Sequence, residues 1–166
     1  DPQTGIIYVL DNGGTRLMRF IPGGPQGGAF EIVPNVRLPI QPTQYNLNGY
    51  LNSYQGLVHP LARKFLIVGG NTGLAPSGQG VEYNNRIFSF DPANPGNGFA
   101  EIARMPLIIG RQDMGIAVDP ITGYLFLAGG LGRERFAYNN RELGDILVFD
   151  HVANTVSWFL SLPEPV

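Results

Sequence analysis

The chain contains no cysteine and one lysine among its 166 residues. The absence of cysteine excludes disulfide bonds, thiolate metal ligands and cysteine nucleophiles, but leaves the compartment open. No stretch approaches the roughly 20 apolar residues that a membrane span requires. The first ten residues also lack the basic start and the small-residue cleavage site of a signal peptide. We therefore expect a soluble chain, with any targeting segment lying outside it.

The net charge is also small, at -2, because 11 Lys and Arg residues are nearly balanced by 13 Asp and Glu residues. Such a balance provides no basic field that would gather phosphates or anionic lipid. We therefore expect neither a nucleic-acid partner nor a membrane partner. The sequence has no Asn-x-Ser/Thr site, so glycosylation of asparagine is not indicated.

Glycine and proline are abundant, with 23 and 14 residues respectively. Together they make up more than a fifth of the chain, against an average near 12%, and they follow no collagen period. This composition favours many short strands joined by turns. An apolar content of 43% is enough for a globular core.

The chain repeats itself at intervals of about 60 residues. Three segments align without a gap, and each is a turn followed by a short apolar run: residues 1–10, 59–68 and 119–128. The runs are too short for helices and are rich in β-branched and aromatic residues, so they predict buried strands. A second pair of strands follows in every copy, with anchors at residues 17–20, 87–91 and 146–150. In total we predict eleven strands and no helix.

Units of four short strands at this period predict the blades of a β-propeller, because each small sheet is apolar on both faces. Four features of the third copy carry a family resemblance: Gly129-Gly130, a strand that begins at Asp145, Trp158, and a link from Met105-Pro106 to Arg111. Together they resemble the kelch repeat of the galactose oxidase-like superfamily. The resemblance weakens toward residue 1, because the second copy lacks the tryptophan and the first lacks the Gly-Gly pair.

The resemblance implies an all-β fold, a kelch-type propeller with a partial ring of about three four-stranded antiparallel blades. We interpret residues 1–166 as one propeller segment. Its blades cover about 1–42, which lacks the innermost strand, about 50–106, and about 111–163. Propellers close with four to eight blades. We therefore expect either missing blades of the same chain or further copies to close the ring.

Candidate binding residues lie in two long loops, 71–85 and 131–144, and in the link before the third blade. Both loops end in the tetrapeptide Tyr-Asn-Asn-Arg. Long loops on a rigid scaffold carry function, and tyrosine and arginine are frequent at interface hot spots. The candidates are Tyr83, Asn84, Asn85, Arg86, Arg111, Arg133, Arg135, Tyr138, Asn139 and Arg141. In the alternative interpretation the tyrosines pack on a neighbouring blade and the asparagines hold turns, and the kelch resemblance implies a structural role for Arg111.

The two histidines do not predict a catalytic or metal site. His59 occupies the turn position that Asp119 fills in the third copy, and His151 follows Asp150 in another blade. Galactose oxidase and its relatives hold copper with tyrosines and histidines and carry a tyrosine cross-linked to cysteine, and this chain has no cysteine. We therefore expect no cofactor, no metal and no catalytic residue within this segment.

Three functions follow as hypotheses. The first is a non-catalytic scaffold that holds a protein or glycan partner with its long loops. The second is part of a galactose or glyoxal oxidase-like propeller enzyme whose catalytic residues lie elsewhere. The third is a structural repeat of an extracellular assembly, in keeping with the single lysine and the richness in Asn, Gly and Pro. An extracellular or cell-surface location is favoured over the cytoplasm.

Overall fold

The computed structural model describes residues 4–11, 13–23, 27–42, 46–47, 49–74, 81–106, 110–132 and 141–163. Over these residues the chain is all-β, with one short turn of 3-10 helix at Pro95–Asn97. The strands in chain order are β1 (Ile7–Leu10), β2 (Leu17–Pro22), β3 (Gly28–Ile32), β4 (Gln55–Val58), β5 (Phe65–Val68), β6 (Asn71–Leu74), β7 (Val81–Tyr83), β8 (Arg86–Phe90), β9 (Phe99–Arg104), β10 (Arg111–Gln112), β11 (Gly115–Val118), β12 (Leu125–Ala128), β13 (Leu131–Gly132), β14 (Arg141–Glu142), β15 (Asp145–Asp150) and β16 (Thr155–Ser161).

Eleven of these strands form three antiparallel sheets. The first sheet has the order β1-β2-β3, the second β4-β5-β8-β9 and the third β11-β12-β15-β16. The sequence predicted all eleven, and short apolar runs between turns were sufficient for this. The five remaining strands pair in two small sheets, β6-β7 and β10-β13-β14. They lie in segments that the sequence analysis takes as loops or links.

The second sheet lies between the other two, so both of its faces are buried. All four residues of β5, Phe65–Val68, are buried. One face joins an apolar cluster with the first sheet, and the other joins a cluster with the third sheet. The alternation of strand side chains therefore divides β5 between two cores. This accounts for a run that is apolar at every position.

The Gly-Gly pair after β5 is needed because the chain turns there against another backbone segment. Gly69 and Gly70 both have positive φ angles, of 65° and 92°. A Cβ atom on Gly70 would lie 2.6 Å from the carbonyl oxygen of Asn52. A side chain would therefore be strained at this position and would also clash with the link that enters the second sheet.

The predicted bounds of the three blades remain a prediction. The first sheet spans residues 7–32, the second 55–104 and the third 115–161. No helix within the described ranges has the length and apolarity needed to cross a membrane.

Candidate functional site

The loops that follow the second strand of each unit leave the sheets at one common edge, which we call the loop edge. Among the described residues it comprises the loop residues 11, 13–16, 69–74, 81–85, 129–132 and 141–144, together with the link residues 33–42, 46–47, 49–54, 105–106 and 110–114. Hydrogen bonds fasten the first link to this edge, since the Leu38 amide donates to Gly14 O at 2.9 Å and the Leu51 amide to Gly13 O at 2.8 Å. The opposite edge carries the tight turns at residues 59–64, 119–124 and 150–154, and we call it the turn edge.

Hydrogen bonds along the loop edge also hold the second unit together and join it to the third. Asn52 and Asn71 exchange two backbone hydrogen bonds, each 2.8 Å long. The Asn71 side chain donates from Nδ2 to Gln112 Oε1 at 2.6 Å, and the Gly70 amide donates to Arg111 O at 2.8 Å. The edge is therefore a continuous platform across the second and third units, which positions the loops on a firm base.

Asn84, one of the predicted binding residues, is 7% exposed and fully engaged. Its Nδ2 donates to Gly69 O at 2.8 Å and to Arg86 O at 3.1 Å, and its Oδ1 accepts from the Arg86 amide at 3.2 Å. These contacts match the turn-holding alternative from the sequence. Its side chain has little capacity left for a ligand.

The neighbours of Asn84 are more accessible. Asn85 is partly buried, and its carbonyl accepts from the Met105 amide at 2.7 Å. Arg86 is about one-third exposed, with Nε 3.6 Å from Glu101 Oε2. Glu101 also pairs with Arg104, whose pKa is raised by the hydrogen bond and charge of Glu101. Arg86 therefore shares its acidic partner with Arg104, and its guanidinium can still meet an incoming acceptor.

The first long loop, 71–85, and the first link form a cleft of about 140 Å³ at the loop edge. The whole tetrapeptide from Tyr83 to Arg86 lines it, opposite residues of the link. The lining residues are Ile40, Gln41, Thr72, Glu82, Tyr83, Asn84, Asn85 and Arg86. The structure thus brings together four of the ten predicted residues, with acidic, basic, amide and aromatic groups in one small space.

A larger open cleft of about 430 Å³ lies at the loop edge of the first unit. The sequence pattern does not single it out, because the loop there is short. Two arginines line it, Arg16 from the loop and Arg37 from the link, and they approach each other only through the fold. The sequence did hold a clue to this cleft, because one arginine lies in the loop and the other in the link, and both segments are expected at the same edge of the sheet.

Arg111 is buried, with 1% of the residue exposed. Its guanidinium donates to both carboxylate oxygens of Asp145, at 3.0 and 3.1 Å, and from Nη1 to Gly129 O at 3.3 Å. Bidentate pairing of this kind fixes geometry as well as charge. Arg111 thus attaches the link to the first residue of β15 and is not open to a partner.

The remaining predicted residues lie in the third unit. Arg141 is exposed in the short strand β14. The other four, Arg133, Arg135, Tyr138 and Asn139, lie outside the described residues.

The two histidines meet at the turn edge, which the sequence analysis did not anticipate. Their ring centroids are 4.4 Å apart, with an interplanar angle of 35°. His59 is fully buried, with Nε2 2.7 Å from Gly123 O and Nδ1 accepting from the Ala62 amide at 3.0 Å. Burial lowers the pKa of His59, the Gly123 carbonyl partly opposes this, and His151 lowers it further. The missed signal is that both histidines occupy turns at the same edge of adjacent units.

This pair does not form a metal site. Both ring nitrogens of His59 are already used by the backbone. Within the described part of the chain, no group of three or more His, Cys, Asp or Glu side chains is arranged to hold a metal ion. The two histidines therefore form a packing contact between the second and third units.

Comparisons with known proteins give the fold of the chain. No family model matches it, and no curated protein matches it by sequence. It is similar to the solved structure of YjhT, with a TM-score of 0.66 and 13% identity over 95% of this chain and 49% of that one. It is also similar to a fungal alcohol oxidase of the AA5 family solved with copper, with a TM-score of 0.65 and 13% identity over 98% of this chain and 30% of the oxidase.

The chain therefore spans about half the length of YjhT and less than a third of the oxidase. At 13% identity these likenesses concern the arrangement of strands. They agree with the kelch resemblance that the sequence motifs predict. The chain is all-β, and its strand arrangement is similar to the propeller-like folds of the kelch and galactose oxidase type that these two structures have.

Proposed function

We propose that the chain is a non-catalytic binding scaffold that holds a protein or glycan partner at the loop edge of its second and third units. The observation that carries this proposal is the cleft lined by the whole Tyr83–Arg86 tetrapeptide and by the first link. A concave site with a few convergent polar groups is the ordinary form of a binding site.

The groups in the cleft suit a polar partner. Tyr83 offers an aromatic ring, Glu82 a carboxylate and Arg86 a guanidinium, while Gln41 adds an exposed amide from the link. Aromatic rings and hydrogen-bonding groups of both kinds recognise hydroxyl-rich sugars and polar peptide segments alike. The fixed backbone of the loop edge reduces the ordering that binding would otherwise require.

Two experiments search for the ligand. A glycan array tests sugars, and photo-crosslinking tests proteins, with benzoyl-phenylalanine in place of Gln41 as the crosslinker. For a ligand found by either route, Arg86→Ala and Gln41→Ala should each weaken binding, with a loss of about tenfold for Arg86→Ala. Lys64→Ala, at the turn edge, serves as the matched control and should leave affinity unchanged. Affinity that stays within about twofold in both cleft variants, with unaltered melting, would falsify the proposal.

A second candidate is part of an oxidase-type propeller enzyme, favoured by the likeness in fold to the AA5 alcohol oxidase. Copper is the metal this relationship implies, and within the described residues no group of three or more His, Cys, Asp or Glu side chains is arranged to hold a metal ion. A copper site in such an enzyme would have to include residues other than these. Copper analysis of the full-length polypeptide after loading tests this candidate, and less than about 0.1 equivalents of tightly bound copper would count against it.

A further inference from the structure

Adjacent sheets in this chain contact each other by a repeated rule. Each sheet has a front face and a back face. The front face carries Ile7 and Val9 in the first sheet, Phe65 and Ile67 in the second, and Leu125 and Leu127 in the third. The back faces carry the intervening residues: Tyr8 and Leu10, Leu66 and Val68, and Phe126 and Ala128. Equivalence follows from the gapless alignment of the three copies.

At each internal junction a front face packs on a back face. The back-face residue Tyr8 stacks against Phe65 of the second sheet at 6.4 Å and lies 5.8 Å from Phe90. The back face of the second sheet and the front face of the third share one apolar cluster, with Leu66 and Leu125 at 2% and 0% exposure. The same contact therefore occurs twice in succession.

The front face of the first sheet is left open. Its cross-strand rows are Ile7, Phe20 and Phe30, and Val9, Met18 and Ile32. Phe30 is 67% exposed and Ile32 60%. Neither row contains a charged side chain. Contiguous exposed apolar side chains of this kind mark an interaction surface.

The back face of the third sheet is open as well. Phe126 pairs with Val148 across the sheet, and its ring contacts that of Phe159 at 5.4 Å. Phe159 is 51% exposed. The chain thus leaves one front face and one back face uncovered. These are the two complementary halves of the contact that it makes twice internally.

We propose that a second copy of this chain covers both faces, head to tail, so that two chains close one ring of six sheets. The back face of the third sheet in each copy packs on the front face of the first sheet in its partner. A contact between different surfaces either closes into a ring or extends into a filament. Closure by two copies agrees with the length of YjhT, of which one copy spans 49%.

The test is the molar mass of the 166-residue chain, measured by light scattering after size exclusion. The expected mass is that of a dimer of 18.0 kDa chains. Ile32→Lys on the front face and Phe159→Glu on the back face should each give monomers. Val152→Lys, at an exposed turn-edge residue outside both faces, should remain a dimer.

Mixing the two variants gives the sharpest result. In a head-to-tail ring, one junction of the mixed dimer is unaltered. The other junction brings the lysine introduced at Ile32 of one chain near the glutamate introduced at Phe159 of its partner, so the dimer should return. Circular dichroism checks that each variant is folded, and Phe30→Lys replaces Ile32→Lys if the latter is not. A monomeric parent chain with a cooperative melt, an open-ended polymer, or a dimer that only one variant disrupts would each overturn the proposal.

Discussion

At the scale of single residues, the position of Arg111 shows how the copies differ in chemistry while keeping one geometry. The link to the second sheet places Leu51, which is fully buried, where the link to the third sheet places Arg111. The first residue of β8 is accordingly Arg86, where β15 begins with Asp145. One junction is thus apolar and the other is a buried ion pair. The sequence suggested a structural role for Arg111 through the kelch resemblance, but its partner became visible only in the fold.

Removing one member of the Arg111–Asp145 pair should be costly, because the other charge is left in a largely dry site. Asp145→Asn should lower the free energy of unfolding by about 3 kcal/mol. The double variant Arg111→Leu/Asp145→Leu, which imitates the apolar junction at Leu51, should lose less than the two single changes combined. Urea denaturation measures all of these proteins. As a control, Glu31→Gln breaks the exposed Arg19–Glu31 pair and should change stability by less than about 1 kcal/mol.

The buried His59 should make stability depend on pH in a defined window. Its pKa in the folded state is lowered by burial, so the unfolded chain binds more protons than the folded chain once the pH falls below about 6.5. The stability that neutral His59 allows is therefore fully present above that pH and is lost on acidification. The lowered pKa values of Asp91, Asp119 and Asp150 affect stability only below about pH 3.8, a separate range.

The measurement is the melting temperature between about pH 7.5 and about pH 4.5, a range that spans the ordinary histidine pKa. The parent chain should melt lower as the pH falls, and His59→Asn, which keeps an acceptor for the turn, should flatten the profile. A parent profile that is already flat over this range would contradict the role assigned to His59.

At the scale of elements, the turns at the turn edge are determined by local chemistry and then fixed by their neighbours. In the turn before β12, Asp119 Oδ1 accepts from the Ile121 amide at 2.9 Å and the Gly123 amide donates to Asp119 O at 2.8 Å. Gly123 has a φ of 75°. The Asp-Pro-x-Thr-Gly pattern predicts these features. It does not predict the close packing of Gly123 on both histidines.

Gly123→Ala tests that packing against a matched control. A Cβ at Gly123 would lie 2.5 Å from His151 Cε1 and 3.0 Å from His59 Cε1, whereas at Gly5, the aligned turn glycine of the first copy with φ of 68°, the nearest atom is Pro22 Cγ at 3.4 Å. Both Gly123→Ala and Gly5→Ala bear the strain of a positive φ angle, about 1 to 2 kcal/mol. Gly123→Ala should lose about 1 to 3 kcal/mol beyond that. Equal losses in thermal or urea denaturation would show that the histidine contact contributes nothing.

At the scale of the whole molecule, the three sheets should differ in local stability because they differ in cover. The second sheet is buried on both faces, while the first and third each expose one. Under conditions where the chain is monomeric, backbone amides in β5 and β8 should exchange with deuterium most slowly, and those in β3 and β16 fastest. Mass spectrometry of peptic fragments resolves this. Equal protection across the three sheets would argue against separate stabilities.

The sequence by itself determined the eleven strands of the three larger sheets and the turns between them, because these depend on local pattern: alternation, glycine pairs and turn residues. It also located the loops of the candidate site. It could not determine how those loops use their residues. Asn84 and Arg111 became buried and engaged, whereas Arg86 stayed accessible.

Only the tertiary structure decided which distant residues meet. His59 and His151 are brought together by the stacking of the second and third sheets, and Arg111 meets Asp145 where the link enters the third sheet, contacts that no short-range pattern records. Stacking also left two apolar faces uncovered, because each sheet covers the next and the first and third have a neighbour on one side only. The side chains on these faces are apolar, so burial of apolar surface is the interaction that would cover them.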